Sequence, residues 1–114
     1  MINMKIEKTE DLRGKALKAK ELVGYDAGAV VSRTIIQKPV GTVTIFSFDK
    51  GQGLSEHTAP FDAMVEILDG EAEIMIDRKP VMVKAGEFII MPANKPHALK
   101  AVKKFKMALI MIKA

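Results

Sequence analysis

The sequence predicts an all-β chain closed into an antiparallel barrel or jelly roll. Short apolar runs are punctuated by Gly, Pro, Asp and Lys at hairpin spacing. Strong turn dipeptides such as Asp69–Gly70 separate them. After Gly41 no stretch is long enough for crossover helices, so consecutive strands must pair with antiparallel neighbours. Many short strands of this kind dispose of their open edges by closure. At 114 residues, 48% hydrophobic and 28% charged, the chain has the size and composition of one folded domain.

Each element follows in order. "TEDLRGKALKAKELV" has helical composition and an N-cap candidate in Thr9, but Gly14 and Gly24 interrupt it. It reads as a short, partly helical segment within an N-terminal extension, 1–29, packed on the barrel or on a partner subunit. The barrel itself spans 30–114. "GAVVSRTIIQK" is its first strand, and "GTVTIFSFDKG" the next, turning at Asp49–Gly51. "AMVEILDG" and "EAEIMID" flank the Asp69–Gly70 turn, and "RKP" turns into "VMVKAG". "EFIIMP" stops at Pro92, "HALKAV" turns at Lys103–Lys104, and "FKMALIMIK" closes the chain. That makes about seven strands after Gly41.

The chemical inventory is narrow. With no Cys, the chain has no disulfide scaffold, thiolate nucleophile or Cys-type metal site. Acid–base or metal chemistry near neutral pH must lean on His57, His97 and carboxylates. No run reaches the roughly 18 apolar residues of a membrane span, and the N-terminus lacks the charged and apolar regions of a signal peptide. The expectation is a cytoplasmic protein with no membrane role. The net charge is +4, and Lys95–Ala114 carries six lysines and no acid. Lys100, Lys104 and Lys106 alternate with apolar residues, as the wet faces of strands do. With three arginines and 5% aromatic residues, little is available to grip phosphates or stack bases, so nucleic acid is not expected as a partner.

The two histidines sit in matching contexts. One reads Gly51-x5-His57-Thr58-Ala59, running on through Asp62 and Glu66 to Gly70. The other reads Gly86-x5-Pro92-x-Asn94-x2-His97. This pair of motifs resembles the cupin superfamily, in particular its small single-domain members. Asn94 stands where the second motif has glycine, a mild change because Asn also tolerates a left-handed turn. The resemblance covers about residues 30 to 112. It implies a conical barrel with both histidines turned inward, and alternation agrees: His97 shares a face with Leu99 and Ala101.

In metal-binding cupins the ligands are two histidines and an acid from the first motif and the histidine of the second. Here the second histidine position is Ala59, and the acid position falls at Ala63 or Met64. Strict alternation turns Asp62 outward; Pro60 leaves open a shifted register that re-aims it. The resemblance therefore implies a divalent transition metal (Fe, Mn, Ni or Zn) on His57, His97 and Asp62, or else a metal-free pocket. Gln52, Ser55 and Phe61 lie near His57 in sequence, Gln52 and Ser55 as hydrogen-bonding groups and Phe61 as an apolar wall or a core plug. Arg33 is expected in a salt bridge, and the methionines as barrel filler. Three functions follow: a barrel binding a small polar metabolite, a metal-dependent oxygenase or isomerase acting on a small acid or enol, and a dimer with a vestigial pocket. The resemblance also implies a homodimer, paired through the N-terminal strands.

Overall fold

Alternation along ten strands decides what this chain buries. The computed structural model describes residues 4–7 and 11–113. The strands among them are β1 Met4–Ile6, β2 Val30–Lys38, β3 Gly41–Phe48, β4 Gly53–His57, β5 Ala63–Asp69, β6 Glu71–Ile76, β7 Lys79–Lys84, β8 Phe88–Met91, β9 His97–Lys100 and β10 Phe105–Ile112. They form a six-stranded sheet, ordered β1-β2-β3-β10-β5-β8, and a four-stranded sheet, ordered β4-β9-β6-β7. All pairings are antiparallel except that of β1 with β2.

The inward positions of both sheets meet in one apolar core that includes Val65, Ile67, Ile74, Leu99 and Met107. At its centre Phe48 stacks on Phe105, ring centroids 4.6 Å apart and planes 10° from parallel. These two strands are neighbours, and Phe105 stands directly opposite Phe48 in the register. Burial of two aromatic rings this large is worth several kcal/mol, so this pair is a main tie within the barrel.

The structure adjusts the sequence reading in three places. An eighth strand after Gly41, β4, was not expected; its "GLSEH" has no β-branched residue and is exposed along half its length. The turn after β6 is Asp77–Arg78, both at positive φ, which is the two-residue hairpin geometry that matches strand twist. The partly helical N-terminal segment reduces to one 3-10 turn, Ala19–Glu21, and Thr9 lies outside the described residues.

That segment is strapped to the outer face of the larger sheet. Val23 packs with Val31, Ile45 and Ala108 in a second apolar cluster. Polar ties reinforce it. Ser47 Oγ donates to the Gly24 carbonyl at 2.7 Å, Lys106 Nζ to the Lys20 carbonyl at 2.7 Å, and Arg33 Nη1 to the Leu22 carbonyl at 3.1 Å. Arg33 thus grips backbone where a salt bridge was expected. The Tyr25 hydroxyl donates to Asp69 Oδ2 at 2.5 Å, and the ammonium groups of Lys104 and Lys106 lie 4.7 and 4.9 Å from its ring centroid. Lys103 pairs with Glu71 at 3.8 Å. Much of the basic tail is therefore engaged within the fold.

Burial first, then the hydrogen bond to Asp69 and its charge, push the Tyr25 phenol above its ordinary value. A raised phenol favours the neutral, folded form, so this contribution is intact below about pH 10 and is lost as pH rises further. Tyr25→Phe is expected to cost about 1–2 kcal/mol in urea unfolding at neutral pH. It should also flatten the alkaline loss of stability; an unchanged alkaline limb would count against the strap.

Candidate functional site

His57 and His97 reach each other because β4 carries an extra residue. Leu54 stands across from Leu99, yet the next pairing is His57 with His97. Regular pairing would place Glu56 there. The bulge at Ser55–Glu56 moves the histidine into register, which is the usual effect of a bulge beside a site. The approach of β4 to β9 is itself tight: a Cβ on Gly53 would lie 2.3 Å from the Leu99 carbonyl oxygen. Only glycine fits there.

The two Nε2 atoms are 3.0 Å apart, with the rings edge-on at 75° and centroids at 4.3 Å. His57 Nδ1 lies 2.9 Å from the Ser55 carbonyl, an acceptor, so that nitrogen carries the proton and Nε2 keeps a lone pair. His97 then donates Nε2–H to it. His97 Nδ1 is buried beside the Lys95 backbone with no hydrogen-bond partner of ordinary geometry. His97 is 4% exposed while His57 is open to solvent. The pair has a sealed side and a wet side.

Ile76 stands directly across from His97. Phe46, Leu54, Ile76, Ile89, Leu109 and Met111 pack on the core yet are only partly buried. Phe61 is half-buried in the loop after β4 and belongs to neither apolar cluster. Gln52 is half-buried just before β4, where its carbonyl accepts from Ala101 N–H at 2.8 Å.

Asp62 is exposed, and its Oδ1 accepts the Ala93 N–H at 2.8 Å. Alternation holds through Pro60: Ala63 is buried and Asp62 faces away. The trio expected from the resemblance is therefore not assembled. Among the described residues no three His, Cys, Asp or Glu side chains form a group able to hold a metal. Two imidazoles fall short of the three protein donors of a zinc site or of the facial triad. Asp62 instead helps stitch the two motif loops together, alongside the 2.7 Å bond from Asn94 N–H to the Ala59 carbonyl. Asn94 adopts φ 64°, the left-handed turn its motif position requires. The β4 bulge and the Ser55 carbonyl carry no local sequence signature.

Burial first, and the His57 imidazole second, hold His97 below the ordinary histidine range, against a smaller upward pull from the Lys95 backbone. The unfolded chain thus binds a proton that folded His97 refuses. Stability is expected to fall as pH drops below about 6.5 and to level off once folded His97 titrates. Urea titrations across that range should show a flatter limb in His97→Gln. Gly53→Ala should weaken the β4–β9 pairing and break the histidine contact, visible as a changed His97 ring titration by NMR.

Comparison with known proteins places this geometry. A cupin domain model matches residues 44–113. A conserved Streptococcus pyogenes protein of unknown function is 42% identical over 96% of this chain and 95% of its own, with a TM-score of 0.86. A cupin 2 conserved barrel domain protein from Leptotrichia buccalis is 47% identical over 82% of this chain and 46% of its own longer chain (TM-score 0.80). A cupin superfamily protein from Desulfitobacterium hafniense is 27% identical over 95% of this chain and 100% of its own (TM-score 0.85). Among curated proteins none matches. The matched domain covers more than half the residues, the 42% identical relative aligns nearly end to end, and the chain belongs to the cupin superfamily as a small, single-domain member.

Proposed function

We propose that this cupin binds a small polar metabolite, a carboxylic acid or enol, at the histidine pair inside the barrel. The observation that carries the reading is the buried, partnerless Nδ1 of His97 beside a 3.0 Å His57–His97 contact. An unpaired buried polar atom costs about 1–3 kcal/mol, a penalty that an apolar side chain at that position would avoid. His57 is the exposed member of the pair, with Nδ1 on the Ser55 carbonyl and Nε2 on His97, so a ligand's polar group would engage it by exchanging for the His97 contact. The half-open apolar side chains, with Phe61, would enclose the ligand's carbon skeleton, and a few polar anchors in an apolar wall are the usual make-up of a small-molecule site. Gln52, shortly before His57 in sequence, is a further polar group close by in the chain.

A second reading has a specific observation behind it. Two nitrogens about 2.1 Å from one ion at a right angle are about 3.0 Å apart, the spacing seen here. A divalent ion (Fe, Mn, Ni or Zn) would then take two donors from the chain and the remainder from the metabolite and water. It would supply Lewis acidity to the bound ligand, and an oxygenase or isomerase activity would require it. His57 and His97 would hold it, and Asp62 would not.

The readings separate experimentally. Protein purified without a histidine tag is expected to carry little metal after dialysis. It should still show NMR shifts at His57 and His97 with malonate or oxalate as probes, abolished by His57→Ala and by His97→Ala. Stoichiometric metal that survives dialysis and is lost in either variant would favour the second reading. Probe binding untouched by both substitutions would remove the pair from the site.

A further inference from the structure

A second concave site lies outside the barrel, between the N-terminal strap and the end of β2. It is a cleft of about 500 Å³, within the ~300–1,000 Å³ of small-molecule sites. Its walls are aliphatic, with Leu12, Leu17 and Leu22 from the strap and Ile35 and Ile36 from β2. In a regular strand Ile35 and Ile36 would point to opposite faces; the bulge between Thr34 and Ile36 lets both line the cleft. Leu22 and Ile35 pack on the second apolar cluster, which holds that part of the wall in place. Leu17 and Ile36 remain 48% and 52% exposed. No aromatic ring lines the cleft.

The rim is basic. Arg13, Lys15 and Lys38 stand on it, and Asp11 is its one acid. Asp11 is already taken, because Arg13 donates Nε–H to Oδ1 at 3.0 Å and Nη2–H to Oδ2 at 3.1 Å. Among the described residues Lys15 and Lys38 form no ion pair. Arg33, bound to the Leu22 carbonyl of the same wall, likewise has no carboxylate partner, and its Nε is buried without a hydrogen bond. Positive charge around the cleft is therefore uncompensated.

We infer that this cleft binds an amphipathic anion, an unbranched alkyl carboxylate of medium chain length. Its carbon chain lies along Leu17 and Ile36, and its carboxylate meets Lys15 and Lys38. Covering two half-exposed aliphatic side chains supplies the binding energy. Walls of Leu and Ile without a ring suit a saturated chain better than a stacked aromatic ligand. The two unpaired ammonium groups choose the head: a carboxylate complements them, a neutral head leaves them unused, and a cation is repelled. The inference goes beyond the ligand reading and does not depend on it, since the cleft shares no residue with the histidine pair.

Titration of the full chain with decanoate below its micelle concentration, followed by calorimetry and methyl NMR, tests it. Saturable binding is expected, with shifts at Leu17 and Ile36. Affinity should rise about fourfold per methylene from hexanoate to decanoate. Decanol and decyltrimethylammonium should bind about tenfold more weakly or worse. Lys15→Ser combined with Lys38→Ser, both at exposed positions, should erase that preference with an unchanged far-ultraviolet spectrum. Ile36→Glu, which sets a carboxylate where the chain lies, should abolish decanoate binding; should it fail to fold, the lysine pair carries the test. Decanol binding as tightly as decanoate overturns the inference, as does uptake that neither saturates nor depends on chain length. Decanoate shifts at the His57 and His97 rings in place of Leu17 and Ile36 would put the ligand in the barrel and overturn it. Leu17 and Ile36 shifts that follow protein concentration and ignore decanoate would assign the cleft to a second copy and overturn it equally.

Discussion

Strand β10 is the constraint on which the rest of this molecule depends. It is hydrogen-bonded along its length on both sides, to β3 and to β5, so the register of the larger sheet is set from its centre. Period-two alternation then divides its residues without exception. Phe105 and Met107 enter the core, with Leu109 and Met111 packed against it, while Lys106, Ala108, Ile110 and Ile112 face the other side of the sheet, Ala108 buried there in the second apolar cluster. The aromatic stack with Phe48 and the outward placement of Lys106, Ile110 and Ile112 are two consequences of one strand's register. A slip of one residue would exchange them, placing Lys106 in the core.

This explains which parts of the fold were legible in the sequence. Strands that bury one face announce themselves by alternation, and the turns at Asp49–Gly51, after Asp69 and before His97 require residues that tolerate positive φ: Gly51, Gly70 and Asn94 adopt it. The first of the histidine strands was invisible because β4 is set by its partner. Its polar, half-exposed residues gain order from pairing with β9, a tertiary effect that no local propensity reports. Both histidines could be named from their motif positions. Their contact could not, since it depends on one extra residue at Ser55–Glu56 that only the cross-strand register reveals. The placement of Asp62 was decided by plain alternation, which Pro60 did not disturb.

The site also separates scaffold from chemistry. The loops bearing the two motifs remain stitched together through Asp62, Ala93, Ala59 and Asn94, although Ala59 offers no side-chain donor. The framework that would orient a full ligand set is present while the set itself is reduced to two imidazoles. Fold alone does not choose a function for such a framework, because function resides in the groups grafted on it. What remains is a pair with one fixed tautomer, one shared proton and one unsatisfied nitrogen.

That unsatisfied nitrogen sets His97 apart from the rest of the barrel interior. The core cluster of the barrel is apolar, with Ile74, Val65 and Met107 fully buried in it. Leucine or methionine in place of His97 would continue that packing and remove both the desolvation of an imidazole and the orphaned acceptor. Burial holds His97 below its ordinary pKa, so below about pH 6.5 the fold keeps it neutral at a cost in stability. Departures from local consistency of this kind gather at functional sites, where stability is traded for a group poised to meet a ligand. A bulge that replaces Glu56 with His57 opposite His97 is a second such departure, and the two occur at one place in the barrel.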